Sequence, residues 1–173
     1  MTAPAPQCFD IVVIGAGPAG GAAAATACGL GLRTALVDTA RFPRDKLCGG
    51  LFTGRAMRHH IAIFGAPPDP ALIRTTTDIE FRHRGRPVAR LRDAPPLHLA
   101  MRLSLDDSIL RRALAAGAAD FTGTAMTSLD PANCCVTLTD GRCLRYRVLI
   151  GADGVNSLVA RQMFGAAFDR RTI

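Results

Sequence analysis

Apolar and polar positions follow two different periods along this chain. Phe9–Ile14 (Phe-Asp-Ile-Val-Val-Ile) is a short β-branched run, the pattern of a buried strand. Gly15–Gly20 follows as a glycine turn, and Ala19–Leu30 predicts a helix of very small side chains. Arg33–Val37 is a second apolar strand that ends at Asp38. Strand, turn, helix and strand in this order predict a βαβ unit with a parallel strand pair.

The period then changes. Thr39–Gly50 reads as a loop rich in charge and glycine, and Leu51–Phe64 as a helix closed by Gly65-Ala66-Pro67-Pro68. Thr75–Arg82 alternates, with Thr77, Ile79 and Phe81 against Asp78, Glu80 and Arg82, as a half-exposed strand does. Arg84-Gly85-Arg86 turns it back into Pro87–Leu91, and Leu97–Arg102 is a third strand candidate. Residues 75–101 are therefore expected to form an antiparallel β insert. Leu103–Ala116 returns to helical spacing, with Leu103, Ile109, Leu110, Ala113 and Leu114 near one face.

Asp120–Leu129 and Cys134–Thr139 read as strands, and Asp140-Gly141 is a hairpin turn answered by Arg142–Tyr146. Val148–Ile150 is a short buried strand before the turn Gly151-Ala152-Asp153-Gly154, and Val155–Phe164 reads as a helix. The fold class expected is α/β: a Rossmann-like parallel sheet with helices and an antiparallel β crossover, carrying part of a second, antiparallel β domain.

Composition narrows the function classes. The 173 residues are nearly half apolar and one fifth charged, within the range of globular proteins. The net charge of +7 comes almost wholly from arginine, since Lys46 is the one lysine. The arginines are scattered, without a basic block or interleaved aromatics, so no nucleic-acid partner is expected. The six cysteines form no Cys-x-x-Cys pair, and no histidine stands at zinc-ligand spacing from them. No metal site is expected, and all six thiols are read as reduced. Met1–Pro6 lacks the basic start and apolar core of a secretory signal. Ala19–Leu32 is shorter than the ~20 apolar residues of a membrane span. These readings place the chain in the cytoplasm.

Gly15-Ala16-Gly17-Pro18-Ala19-Gly20 fits Gly-x-Gly-x-x-Gly between a strand and a helix, the context a dinucleotide fingerprint requires. Gly15 permits the tight turn, Gly17 lets a diphosphate approach the backbone, and Gly20 lets the helix pack closely. The helix start offers bare N–H groups to phosphate. Pro18 sits where an N–H would be unpaired anyway. Asp38, about twenty positions on, suits an adenosine ribose and disfavours a 2′-phosphate.

Three further segments separate flavin from nicotinamide. Phe42-Pro43-Arg44-Asp45-Lys46-Leu47-Cys48-Gly49-Gly50 resembles the stretch after the second strand in the geranylgeranyl reductase family of FAD-dependent oxidoreductases. Arg102-Leu103-Ser104-Leu105-Asp106 is similar to that family's Arg-x-x-aromatic-Asp element, with Leu105 in place of the usual Phe. Gly151-Ala152-Asp153-Gly154-Val155-Asn156-Ser157 resembles the Asp-Gly motif of the wider group with the p-hydroxybenzoate hydroxylase-like fold, which includes aromatic-ring hydroxylases and flavin-dependent halogenases. The resemblance extends from Phe9 to Phe164.

The resemblance implies FAD as cofactor, reduced by NAD(P)H or another external donor. It implies cofactor contacts at Gly15, Gly17, Pro18, Ala19, Gly20, Asp38, Arg44, Lys46, Cys48, Gly49, Gly50, Arg102 and Asp153. Arg44 and Lys46 are cations for cofactor phosphate or a substrate anion, although two solvated surface charges fit the same spacing. Gly49-Gly50 would lie along the flavin, Arg102 near the diphosphate, and Asp153 at the ribityl–diphosphate region. Arg102 also fits an ion pair with Asp106 or Asp107 across one helical turn, and Asp153 fits an ordinary turn aspartate. Cys48 is the one catalytic candidate, against the commoner fate of a buried, inert cysteine. His59, His60, His83 and His98 receive no catalytic role.

The implied reaction is hydride transfer from reduced flavin to a carbon–carbon double bond of an isoprenoid or other apolar substrate. The alternatives are an aromatic monooxygenase or halogenase, and a nucleotide-binding remnant without turnover. The partner is expected to be a small apolar or aromatic molecule. A lipid substrate would bring the chain to a membrane surface. Complete family members carry a Gly-Asp-Ala segment beyond this point, and this chain has no Gly-Asp dipeptide. Residues 1–173 are therefore expected to be an incomplete FAD-binding domain that lacks a C-terminal half, with apolar surface left uncovered. Phe168–Ile173 reads as a cut, with no ending signal.

Overall fold

In the computed structural model, β1 (Gln7–Ile14) enters the interior as it proceeds, and Val12 and Val13 are fully buried. The structure describes residues 5–165, so Met1–Pro4 and Ala166–Ile173, with the expected cut at Phe168–Ile173, lie outside the described residues. The chain divides into two compact units: Met1–Arg44 with Asp106–Ile173, and Asp45–Leu105.

The first unit is built on a six-stranded sheet in the order β8-β2-β1-β11-β10-β9. Its strands are β1, β2 (Thr34–Asp38), β8 (Ala119–Thr122), β9 (Met126–Asp130), β10 (Cys135–Leu138) and β11 (Cys143–Gly151). β1 pairs in parallel with β2 and β11, and β2 with β8. β10 is antiparallel to both of its neighbours. α1 (Pro18–Gly29) buries Gly20, Gly21, Ala24, Ala25 and Ala27. Side chains this small let the helix axis approach the strands closely. Val12, Ile14, Val37, Phe121, Val136, Leu138 and Leu144 form the core. α3 (Arg102–Ala115) buries Ile109, Leu110 and Ala113.

The second unit holds β3 (Leu51–Phe52), α2 (Gly54–Phe64), β4 (Ile73–Thr76), β5 (Ile79–His83), β6 (Arg86–Leu91) and β7 (Leu97–Ala100). β3, β7 and β4 form one antiparallel sheet, and β5 with β6 a second. Thr53 caps α2 by accepting the Ala56 N–H at 3.2 Å, and Gly65 ends it in the left-handed conformation. His60 is buried, its ring 4.7 Å from that of Phe64 and 6.0 Å from that of Phe52.

Several strand expectations need correction. Asp120–Leu129 is two strands, β8 and β9, at opposite edges of the sheet. Gly123, at φ +76°, turns the chain between them, and its N–H donates to Ala40 O at 3.0 Å. Thr75–Arg82 likewise breaks at Thr77–Asp78, where the Asp78 N–H donates to Thr76 Oγ1 at 3.2 Å. Conversely, Arg142–Tyr146 and Val148–Ile150 are one strand, β11, which pairs with β10 on one side and β1 on the other. The third strand of the insert stops at Ala100 because Arg102 already opens α3.

The thiols also differ from expectation. A disulfide joins Cys135 to Cys143 across β10 and β11, while Cys8, Cys28, Cys48 and Cys134 lie outside it. The two sulfurs meet because Cys135 is opposite Arg145 and Cys143 opposite Thr137, one diagonal step apart. Reading every cysteine as reduced, and Cys135 as without chemistry, fails on strand register that spacing alone does not reveal.

Candidate functional site

The centre of the first unit's site is the turn between β1 and α1. Gly15 adopts φ +101°, and its N–H donates to Val37 O at 2.7 Å. A Cβ on Gly15 would collide with the carbonyl of Ala152, and one on Gly20 with the carbonyl oxygen of Gly15. These two glycines therefore serve the packing of turn, helix and the β11 exit. Gly17 is the N-cap of α1, in extended backbone, and no side chain caps the helix. The first-turn amides of Gly17, Ala19 and Gly20 have no intrahelical acceptor, and Pro18 has no N–H to satisfy. Pro18 and Ala19 are exposed.

Asp38 holds this turn in place. Its Oδ2 accepts the Ala16 N–H at 2.7 Å and its Oδ1 accepts the Ala40 N–H at 2.8 Å. Each carboxylate oxygen keeps a second lone pair for another donor. Gly15, Asp38 and Asp153 line one cleft of about 120 Å³ with Ile14, Val37, Thr39 and Met126. Three of the expected site residues thus come together. This volume holds only part of a ligand, since small-molecule pockets commonly measure about 300–1,000 Å³.

Asp153 is engaged in more bonds than a turn aspartate needs. Its Oδ1 accepts Ser157 Oγ–H at 2.6 Å. Its Oδ2 accepts the N–H groups of Leu158 at 2.6 Å and Val159 at 3.1 Å. Ser157 Oγ in turn accepts the Ala160 N–H at 2.9 Å. The Asp-Gly motif therefore caps α4 (Leu158–Phe164), satisfying amides that would otherwise be orphaned.

Arg44 reaches Asp106 on α3, with Nη2 to Oδ2 at 3.1 Å. Asp106 is fully buried, and the Arg44 guanidinium also lies 4.8 Å from the Phe42 ring centroid. Arg44 Nη1 is buried without a hydrogen-bond partner. Sequence reading passed over Asp106 as an anchor for Arg44. The available signal was a carboxylate between Leu105 and Ile109 on the apolar side of a helix.

Lys46, Cys48, Gly49, Gly50 and Arg102 belong to the second unit. Lys46 and Cys48 are exposed, and the Gly50 N–H points at Cys48 Sγ at 3.5 Å. Gly50 is required by its own unit: at φ +74° it presses on β7, and a Cβ there would stand 2.7 Å from Ala100 O. Gly49 meets no such neighbour. Cys48, Gly49 and Gly50 line a cleft of about 420 Å³ with Leu72, Arg74, Leu99 and Met101. Arg102 is half-buried at the start of α3. Among the described residues no cluster of His, Cys, Asp or Glu could hold a metal.

The residues present fit a dinucleotide. The turn is filled where glycines are needed, the helix start is uncapped, and a buried guanidinium nitrogen has no partner. The sequence pattern of the FAD dependent oxidoreductase family matches residues 10–85. The chain is similar in sequence to FAD-dependent oxidoreductases over most of its length. It is 34% identical to menaquinone reductase of Mycolicibacterium smegmatis over 95% of this chain and 42% of that protein. It is 33% identical to geranylgeranyl diphosphate reductase of Rhodobacter capsulatus over 90% of this chain and 40% of that protein. In fold it resembles PqsL, a probable FAD-dependent monooxygenase from Pseudomonas aeruginosa, with a TM-score of 0.77 and 23% identity over 94% of this chain and 47% of that one. The chain thus spans less than half the length of these relatives.

Proposed function

We propose that this chain binds FAD, with the diphosphate at the start of α1 and the adenosine ribose at Asp38, and serves flavin-dependent oxidation–reduction of a small apolar or aromatic substrate. One observation carries the reading. A carboxylate at the end of β2 fixes the glycine turn by accepting the Ala16 N–H, and the helix that follows begins with bare amides. Such a start attracts a diphosphate through its N–H groups and the helix dipole.

Bound FAD would supply the electron-transfer chemistry, while the protein supplies position and electrostatics. Gly17 gives the diphosphate access to backbone. Arg44 adds a cation beside the first unit's helices. Asp38 accepts from ribose hydroxyls with the lone pairs its backbone bonds leave over. By the family resemblance, Lys46, Gly49 and Gly50 of the second unit would serve the flavin, Cys48 would be the candidate for proton transfer, and Arg102 would add a further cation. NAD(P)H is the expected external donor.

Two chemistries divide this reading. Likeness in fold to a probable monooxygenase favours oxygen-dependent hydroxylation or halogenation of a ring. Identity of 33–34% with two reductases favours reduction of an apolar, isoprenoid-bearing substrate. A lipid substrate would place the protein at a membrane surface. No described helix is long and apolar enough to cross one.

The test is reconstitution of the full chain with FAD, followed by ultrafiltration and absorbance of the retained flavin. Flavin retained by the parent and lost in Gly17→Val supports the proposal. Equal loss of flavin from both chains refutes it. Anaerobic oxidation of the reduced flavin by an isoprenoid alkene would then favour the reductase, and substrate-stimulated oxygen uptake the monooxygenase.

A further inference from the structure

Asp106 has no role in the fingerprint, yet it is among the most deeply buried side chains of the molecule. Its partner Arg44 is 18% exposed and commits only Nη2 to it. The other terminal nitrogen, Nη1, is buried and unpartnered. A buried guanidinium N–H without an acceptor is costly, because such donors are solvated strongly in water. An arrangement that keeps one points to an acceptor that arrives later. The location is given by α3. Ile109, one helical turn beyond Asp106, meets the first turn of α1, where a Cβ on Gly21 would stand 2.5 Å from Ile109 Cγ2. The pair Arg44–Asp106 therefore sits one turn of α3 from the helix start assigned above to the diphosphate.

We propose that Asp106 is a positioning residue for diphosphate binding: it holds Arg44 by Nη2 so that Nη1 is left to bond a phosphate oxygen. This rests on the FAD reading and extends it to a residue that does not itself touch the ligand. The planar guanidinium suits the task, because its donors point in fixed, separate directions. The Phe42 ring against its face limits rotation.

The test separates orientation from charge. Asp106→Asn removes a negative charge near an anion site, which by simple electrostatics would tighten phosphate binding. The proposal predicts the reverse. In calorimetric titrations of the full chain, ADP affinity falls about tenfold or more, the loss of a charge-assisted hydrogen bond. Adenosine affinity stays within about twofold. A structural defect would weaken both ligands alike. If Asp106→Asn does not fold by circular dichroism, Asp106→Ser is measured in the same way, with the same expectation. An unchanged or tighter ADP-to-adenosine ratio in a folded variant overturns the positioning role while leaving the FAD reading intact. A parent chain that binds neither ADP nor FAD overturns both.

Discussion

Alanine placed at two positions of one helix should have opposite effects on stability. Gly20 and Gly29 both belong to α1. A Cβ at Gly20 would fall on the carbonyl oxygen of Gly15 and stand 3.3 Å from Ala152 Cβ, so helix, turn and β11 exit must separate to admit it. Nothing lies within 4 Å of a Cβ at Gly29. Forced overpacking costs about 1–3 kcal/mol and more where backbone must move, so about 3 kcal/mol is expected for Gly20→Ala. Gly29→Ala removes backbone freedom from the unfolded chain and should gain about 0.5–1 kcal/mol. At roughly 2–4 °C per kcal/mol for a chain of this size, Gly20→Ala should melt roughly 6–12 °C lower and Gly29→Ala about 1–4 °C higher. Thermal unfolding followed by circular dichroism at 222 nm, a wavelength set by the helix signal, reads both. A Gly20→Ala melt within a degree of the parent would refute the close contact of α1 with the glycine turn. A gain at Gly20 equal to that at Gly29 would mean that helix propensity, and not contact, decides.

Three further outcomes are expected. Asp153→Ala uncaps α4 and should lower stability by about 1–2 kcal/mol, read as a shift of the urea midpoint at constant slope. Asp140 has its carboxyl held below the ordinary 3.8 by the Arg142 side chain and then by its N–H. Its contribution is therefore full above 3.8 and is lost as the pH falls through the lower native value, so the melting temperatures of parent and Asp140→Asn should converge in acid. Finally, alkylation of the unfolded chain without reductant should spare Cys135 and Cys143, and reduction beforehand should expose both to the reagent; mass spectrometry of the peptides decides.

Local chemistry was legible in the sequence, and contacts between distant segments were not. Gly15 to Gly20 and the carboxylate after β2 could be read because turn, helix start and strand end are neighbours along the chain. The split of β8 from β9 hides in Gly123, whose turn is recognisable only once Ala40 accepts its N–H. Alternating residues on both sides continue the strand pattern through it. The Cys135–Cys143 bond needs the register of β10 on β11. Arg44 was read as a cation for a ligand, but only folding brings Asp106 to it. Asp153 shows the reverse: a motif whose family resemblance implies a ligand is occupied first with holding its own helix.

β1 lies between β2 and β11 in the sheet, and among the described strands β11 is the last to be synthesised. On the ribosome, the first strand can find its helix and β2 at once. Its other edge must wait while the whole intervening unit and α3 emerge. During that interval a nearly continuous apolar strand presents open hydrogen-bonding groups to its surroundings. Yield in the cell should therefore respond to chaperones and to the speed of translation through Cys143–Gly151 more than to substitutions in the finished molecule's surface.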